Sequence, residues 1–148
     1  RHYLYGNTRE NLDALVEALE RDYPGIDICG AEPSVFRDMT PLEEAELAGR
    51  INRTEPDFVW VALGAPRQEC FCHRMRGSID GLMVGVGGAF NILAGITPEA
   101  PVWMQNLSLE WLYRLIQEPK RLFGRYFVTN SKFMFYQVTG SKRKKENK

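Results

Sequence analysis

The stretch Phe58-Val-Trp-Val-Ala-Leu63, followed by Gly64-Ala-Pro-Arg-Gln-Glu69, decides the fold. Its first six residues are almost all apolar, which is typical of a strand covered on both faces of a sheet. Glycine and proline then turn the chain into a helix that begins near Arg67. Residues 81–86 repeat the arrangement, because a buried strand precedes two glycines and a short helix at residues 89–93. Both segments predict parallel strands that end at the same edge of one sheet.

Strand and helix signals alternate on the N-terminal side of this stretch as well. Residues 2–5 and 26–29 predict short strands. Thr8 is placed to cap a helix of regularly spaced leucines, and Thr40-Pro41 is placed to begin the next helix. This alternation predicts an α/β fold, with a Rossmann-like, mostly parallel sheet and flanking helices.

The C-terminal third of the chain has a different character. Residues 107–117 predict a helix, and Glu118-Pro119 begins another. We therefore expect an α/β domain at residues 1–106, a basic C-terminal helical appendage at residues 107–140 and a disordered basic tail at residues 141–148. Because the chain opens inside a strand without a methionine, we expect the first domain to be incomplete at its N-terminus.

The composition excludes several classes of protein. The 148 residues are 44% hydrophobic and 11% aromatic, which argues against intrinsic disorder. Three cysteines do not make a disulfide framework and indicate a reducing compartment. Residues 1–113 hold 9 Lys/Arg and 17 Asp/Glu, whereas residues 114–148 hold 10 and 2, so the basic charge is concentrated at the C-terminus. Such a segment can meet nucleic acid, anionic lipid or a phosphate-bearing substrate.

The strongest candidate for a binding site is the strand-to-helix turn that contains Gly64, Pro66, Gln68 and Glu69. Ligands of parallel sheets bind at the carboxyl ends of strands, and backbone N–H groups at a helix start favour an anion such as a diphosphate. The Gln68 amide suits a uracil edge, and Glu69 could accept from a sugar hydroxyl. A tight turn with solvated polar residues is the alternative.

A second candidate is the glycine-rich turn after residue 84. Gly85 and Gly87 would let a ligand approach the backbone closely, although close packing of strand on helix would also require them. Phe90 occupies the third glycine position of a dinucleotide-binding fingerprint, and no Gly-Lys-Ser/Thr follows. These departures argue against a standard nicotinamide or ATP site.

The C-terminal segment contains arginine side chains that could bind an anion. Arg121 and Arg125 share a helical face, and Arg114 lies seven residues earlier, so together they suit a diphosphate leaving group. A solvated basic helix is the alternative. The aromatic residues at 123–136 suit an anionic membrane surface, stacking with single-stranded nucleic acid, or packing on the domain. Cys70-x-Cys72-His73 lacks a second ligand pair, so no metal site is predicted.

The order of these motifs resembles one known family. Gly64–Glu69, Gly85–Gly95, Ala100–Met104, Leu109–Ile116 and Glu118–Tyr126 follow one another as in the WecG/TagA/CpsF glycosyltransferases, also called glycosyltransferase family 26. The resemblance covers about residues 2–137. It implies an inverting bacterial enzyme at the cytoplasmic face of the membrane. Such enzymes transfer an N-acetylmannosamine-type sugar from a UDP-sugar to a polyprenyl-diphosphate-linked acceptor for teichoic acid or surface polysaccharide.

The resemblance also implies roles for individual residues. Gln68 would hold the nucleotide-sugar, and Asn91 stands where the family commonly has the Asp that contacts the nucleotide. Glu99 stands where the family usually has Arg. The substrate-binding set is Gly64, Pro66, Gln68, Glu69, Gly85, Gly87 and Asn91. Arg114, Arg121 and Arg125 would stabilise the diphosphate as the glycosidic bond breaks.

Family members carry roughly another hundred residues upstream, a length consistent with an ordinary full domain. That part holds the general base, which is assigned to no residue of this chain, so we expect the chain alone to lack it. The predicted function is UDP-sugar-dependent glycosyl transfer without a cofactor. Its partners are the UDP-sugar, the lipid-linked acceptor and an anionic membrane surface, with no nucleic acid and with self-association left open. A truncated, non-catalytic UDP-sugar-binding module is the alternative.

Overall fold

The computed structural model describes residues 1–117 and 119–139, without the side chains of residues 120, 121, 123, 125, 126, 138 and 139. The chain forms two units, one from Arg1 to Pro98 and the other from Glu99 onward. The boundary expected after residue 106 stays a prediction. The basic tail expected at residues 141–148 lies outside the described residues.

The first unit is an alternation of strands and helices. Its elements are β1 His2–Gly6, α1 Arg9–Asp22, β2 Ile28–Glu32, α2 Pro41–Asn52, β3 Phe58–Ala62, α3 Arg67–Arg74, β4 Leu82–Gly85 and α4 Ala89–Leu93. The four strands form one sheet in the order β2-β1-β3-β4, and every pair is parallel. The predicted Rossmann-like α/β fold is therefore confirmed. The second unit contains α5 Val102–Asn106, α6 Glu110–Gln117 and α7 Pro119–Thr139.

The helix starts follow from their first residues, as the sequence predicts. The Thr8 hydroxyl accepts a hydrogen bond from the Asn11 N–H at 3.3 Å and caps α1. Thr40 and Glu43 form a reciprocal capping box at the start of α2, with Pro41 in its first turn. Each cap satisfies N–H groups that have no partner within the helix.

Two apolar cores lie on opposite faces of the sheet. One face is covered by α2 and α3, and its buried residues are Tyr3, Tyr5, Leu47, Ala48, Ile51, Val59, Val61, Phe71, Met75 and Ile79. On the other face α1 and α4 bury Leu4, Leu12, Leu15 and Phe90. Different helices cover the two faces because the chain reverses its direction across the sheet after β2. Right-handed crossovers before and after such a reversal place their helices on opposite sides of the sheet.

The strands β3 and β4 are less buried than expected. Val59 and Val61 are fully buried, but Phe58 is 36% exposed on the opposite face. In β4, Leu82 is 61% exposed, and the four residues pair only with β3. The expectation of full burial is wrong for β4 because it is the edge strand of the four-stranded sheet and pairs on one side only.

Two element boundaries also differ from the prediction. β2 covers Ile28–Glu32 rather than residues 26–29, because pairing with β1 carries it past Gly30, where the missing Cβ leaves room for the Tyr3 ring. The helix expected from residue 107 begins at Glu110. Ser108, with φ of +57°, makes a turn that separates it from α5.

Candidate functional site

The carboxyl edge of the sheet contains a point where the strand order reverses. The chain leaves β1 toward β2 on one side and returns to β3 on the other side of β1. Crevices at such switch points, beyond the carboxyl ends of the strands, are where α/β sheets bind ligands. Asn7 follows β1, and Gly64 follows β3 within two residues, so both lie at this edge.

Gln68 connects the turn after β3 to the turn after β4. Its side chain is buried, with 8% of the residue exposed, and its Oε1 accepts a hydrogen bond from the Gly87 N–H at 2.9 Å. Its Nε2 donates to Glu69 Oε1 at 3.1 Å. The backbone donor of Gly87 fixes which end of the amide faces β4. The structure thus brings together Gln68, Glu69 and Gly87, as the sequence predicts.

Gly85 and Gly87 are required by this contact and by the turn. A Cβ at Gly85 would lie 3.0 Å from Gln68 Nε2 and 3.1 Å from its Cδ, so glycine makes room for the amide. Gly87 has φ of +54°, which favours glycine. At Gly85, close packing of the strand on α3 therefore accounts for the glycine, because the Gln68 side chain occupies the space of a Cβ.

The turn after β3 leaves its backbone accessible. Gly64 has φ of +76°, and no atom lies within 4 Å of where its Cβ would be. Its carbonyl accepts from the Gln68 N–H at 3.0 Å. Pro66 is exposed, follows a cis peptide bond and immediately precedes α3. This open turn can receive a ligand at the start of α3.

Asn91 lies at the same edge and is held by Asn7, the residue that follows β1. Asn7 Nδ2 donates to Asn91 Oδ1 at 2.5 Å, and Asn7 Oδ1 accepts from Asn11 Nδ2 at 2.9 Å. The sequence predicts Asn91 as a site residue but does not predict Asn7. The one available signal was position, because Asn7 follows β1 as Gly64 follows β3.

A cavity of about 220 Å³ adjoins the turn after β3. Its lining includes Arg37, Arg67 and Arg74. Arg37 bonds to Glu43, which lowers the pKa of the Glu43 carboxyl to about 2, and Arg74 donates to Glu44 at 2.8 Å. Arg67 has no carboxylate partner in the part of the chain that the structure describes, so its charge is available to an anion. The sequence analysis missed it as a site residue.

Two titratable side chains, Tyr5 in the lining of the cavity and Cys72 on α3, have raised pKa values. Burial is the main cause that raises the pKa of the Tyr5 phenol, which lines the cavity, to about 12. Burial, together with the nearby Glu69 carboxylate, raises the pKa of the Cys72 thiol. Both groups therefore stay protonated near neutral pH, which argues against the Cys72 thiolate as a nucleophile.

The part of the chain that the structure describes does not show Arg114, Arg121 and Arg125 close together. Arg114 is exposed on α6. The side chains of Arg121 and Arg125 lie outside the described residues. Glu99, which stands where the resemblance implies Arg, is exposed in the second unit.

Across residues 1–117 and the described part of α7, no group of three or more His, Cys, Asp or Glu could hold a metal ion. Within the same residues, no helix combines the length and apolar character needed to cross a membrane.

The whole of residues 1–148 matches the model of one protein family, described as the glycosyl transferase WecG/TagA/CpsF family. The chain belongs to the WecG/TagA/CpsF family. The resemblance drawn from the ordered motifs is therefore confirmed, and so is the expectation of a glycosyltransferase family.

Two curated proteins are similar to the chain over most of its length. The chain is 38% identical over 122 residues to an N-acetylglucosaminyldiphosphoundecaprenol N-acetyl-beta-D-mannosaminyltransferase of Bacillus subtilis, covering 82% of this chain and 46% of the relative. It is 32% identical over 143 residues to a protein of the same name from Staphylococcus aureus, covering 96% and 53%. The chain thus spans about half the length of these curated relatives.

Proposed function

We propose that this chain forms the donor-binding part of an inverting glycosyltransferase. The enzyme would transfer an N-acetylmannosamine-type sugar from a UDP-sugar to a polyprenyl-diphosphate-linked acceptor. Membership of the family and the names of the two relatives support this assignment. The observation that carries it is the hydrogen bond from the Gly87 N–H to Gln68, which joins the start of α3 to the turn after β4 at the carboxyl edge of the sheet.

The geometry suits a nucleoside diphosphate attached to a sugar. The accessible backbone of the turn after β3 and the start of α3 offer N–H groups to phosphate oxygens. Arg67, which donates to the Arg37 carbonyl at 3.3 Å but bonds to no carboxylate among the described residues, adds positive charge. Glu69 accepts from Gln68 with one oxygen, and its second oxygen can accept from a sugar hydroxyl. This set would hold the donor in one orientation, which lowers the entropic cost of reaching the transition state.

The chemical step needs charge stabilisation and a base. Departure of the UDP leaving group places negative charge on the diphosphate, and we assign Arg114, Arg121 and Arg125 to it from the family resemblance. We propose no cofactor and no metal ligand in this chain. The acceptor hydroxyl must lose its proton to a general base, which we assign to no residue described here.

We further propose that the protein works as a peripheral protein at the cytoplasmic face of the cell membrane. In α7 the exposed apolar residues Phe133 and Met134 follow Lys132. Apolar side chains beside cations suit the boundary between anionic headgroups and acyl chains. A lipid-linked acceptor would meet the enzyme there.

The substitution Gln68→Ala in the complete protein tests the donor site. Loss of the Gln68 amide leaves the Gly87 N–H without its acceptor, so we expect at least tenfold weaker binding of UDP-N-acetylmannosamine and slower transfer. Calorimetry would measure binding, and radiolabelled sugar would measure transfer to the lipid-linked acceptor. Gln117→Ala, on an exposed position of α6, is the matched control.

The outcomes distinguish the donor site of an active transferase from a non-catalytic UDP-sugar-binding module. Unchanged binding and transfer in Gln68→Ala would rule out the donor-site assignment. Donor binding by the complete wild-type protein without transfer to any lipid-linked acceptor would favour the non-catalytic binding module.

A further inference from the structure

The face of the sheet that α1 and α4 cover is left partly open. A cavity of about 380 Å³ lies between these two helices, over β1 and β3. Leu4 and Trp60 line it from the strands, and Leu19 and Leu93 line it from the helices and their ends. Apart from His2, every described residue in its lining has an apolar or aromatic side chain. The cavity therefore differs from the one beside the turn after β3, whose lining includes three arginines.

The open surface continues from this cavity to the edge of the sheet. Trp60 packs against the core beneath α1 and α4, and Phe58 points to the same face because side chains alternate along a strand. Leu82 pairs with Phe58, so it lies on this face as well. Phe58 is 36% exposed, Leu82 61% and Leu93 46%. The cavity lining, together with Phe58 and Leu82, forms an exposed apolar surface that we call the α1/β4 surface.

The aromatic rings of this surface satisfy one another. Trp60 Nε1 donates to His2 Nδ1 at 3.2 Å, so the indole N–H has its hydrogen-bond partner within the sheet. The Phe58 ring stacks on His2 and on Trp60, with centroids 5.8 Å and 5.7 Å apart. The surface therefore presents stacked rings and aliphatic side chains, which suit the apolar side of a partner better than a polar ligand.

A parallel sheet normally has helices on both of its faces, and its strands are then buried on both sides. On the face toward α2 and α3 this holds, because Val59 and Val61 of β3 are fully buried. On the α1/β4 surface α1 buries Leu4 of β1, but Phe58 of β3 and Leu82 of β4 stay exposed. Within the first unit, the half of this face formed by β3 and β4 thus lacks a covering element. Exposed apolar patches of this kind mark interaction sites.

The curated relatives contain residues that could supply the covering element. The match covers 46% of the Bacillus subtilis protein and 53% of the Staphylococcus aureus protein, so about half of each relative lies outside it. That stretch is about as long as the match itself, which is enough for several helices of average length. A helix with an apolar stripe on one side would bury the rings of the α1/β4 surface and expose its polar side to water.

We propose that the α1/β4 surface is the docking site for a helix of the same protein, from the part that corresponds to the unmatched half of the relatives. The helix packs its apolar stripe on Phe58, Trp60 and Leu82 and completes the second helical layer of the sheet. The proposal needs only the membership of the family and is independent of the donor site.

Cysteine labelling of the complete protein tests this cover. Leu82→Cys places a thiol on the α1/β4 surface, and Leu42→Cys places one at an equally exposed position of α2 as the matched control. We expect maleimide to label Leu82→Cys at least about tenfold more slowly than Leu42→Cys, because the helix must move away first. Mass spectrometry of the labelled peptides separates these thiols from the three native cysteines, and labelling in urea should give equal rates.

A cross-link identifies the occupant. Phe58 is replaced by photoreactive p-benzoyl-phenylalanine, a similar aromatic residue, and the irradiated complete protein is digested and analysed by mass spectrometry. We expect a cross-link within one chain, from position 58 to a helix outside residues 1–148.

The other occupants of this surface give different results. Equal labelling of Leu82→Cys and Leu42→Cys in the folded protein would overturn the proposal, and so would a complete protein without residues beyond these 148. Protection that appears only as the protein concentration rises, with cross-linked dimers, would assign the surface to a second copy. Protection that appears only with vesicles containing polyprenyl phosphate would assign it to a lipid chain. Either result would overturn the docked helix.

Discussion

Gln68 is a buried polar side chain, and its environment explains why it can be buried. An amide removed from water is costly unless its groups find partners, and here Oε1 and Nε2 bond to Gly87 and Glu69. The contact needs glycine at residue 85, because the Gln68 side chain occupies the place of a Cβ. One residue of α3 thus depends on Gly85, which ends β4, and on Gly87 in the turn that follows.

Gly85→Ala should weaken the donor site by displacing Gln68. The added Cβ would lie 3.0–3.2 Å from three atoms of the Gln68 side chain, which must move away from the Gly87 N–H. We expect a loss of UDP affinity close to that of Gln68→Ala, measured by calorimetry. Gly88→Ala is the matched control, because nothing lies within 4 Å of its Cβ position and its φ of −75° suits alanine. Equal affinities in the two variants would contradict this account.

The sequence predicts which residues belong to the candidate site better than it predicts the contacts between their side chains. Gln68 and Gly87 were predictable because each follows a strand in an apolar pattern. Asn7 was not, because its partner Asn91 lies 84 residues away and only the strand order brings them together. Arg67 was missed because its free charge depends on Arg37 and Arg74 taking the neighbouring carboxylates.

Helices were easier to predict than the burial of strands. The starts of α1 and α2 follow from Thr8 and Thr40, whose hydroxyl groups act locally. The burial of β4 depends on which elements cover it, and an apolar run cannot tell an edge strand from a central one. The turn at Ser108 was missed because its backbone has a positive φ without glycine.

We expect α7 to contact the membrane surface through its exposed apolar side chains. Replacing Phe133 and Met134 together by Ser removes two exposed apolar side chains, 60% and 61% accessible, from the helix. Less apolar surface would enter the lipid boundary, so we expect at least tenfold weaker binding to vesicles containing phosphatidylglycerol, measured by co-sedimentation. Leu42→Ser, which removes an exposed leucine from α2, should sediment as the wild type does. Equal sedimentation of all three proteins would exclude these residues from the membrane contact.

Across the whole first unit, two tyrosines of the central strand link the sheet to its helices. The Tyr3 hydroxyl donates to Glu32 Oε2 at 3.2 Å, and Glu32 pairs with Arg50 of α2. The Tyr5 ring stacks on Phe71 of α3, with ring centroids 5.0 Å apart. Burial is the main cause that raises the pKa of both phenols, that of Tyr5 to about 12.

Stability should therefore fall in alkaline solution. Below pH of about 10 both phenols are neutral in the folded and unfolded chains, so their contribution is complete. Above it the unfolded chain loses protons that the folded chain keeps, and the free energy of unfolding falls as the pH rises toward 12. Urea unfolding from pH 8 to 11 would measure the slope. The double variant Tyr3→Phe and Tyr5→Phe should have a shallower slope, whereas the exposed Tyr23→Phe should keep that of the wild type.

The central place of β1 has a consequence for how the protein is made. His2 pairs with Phe58 on one side, so β1 cannot complete its pairing with β3 until about 56 more residues exist. At 5–20 residues per second, a ribosome takes roughly 3–11 s to add them. During that interval β1, which is apolar over most of its length, lacks its partner β3. Chaperones that bind short hydrophobic segments would find their target in the nascent chain at this stage.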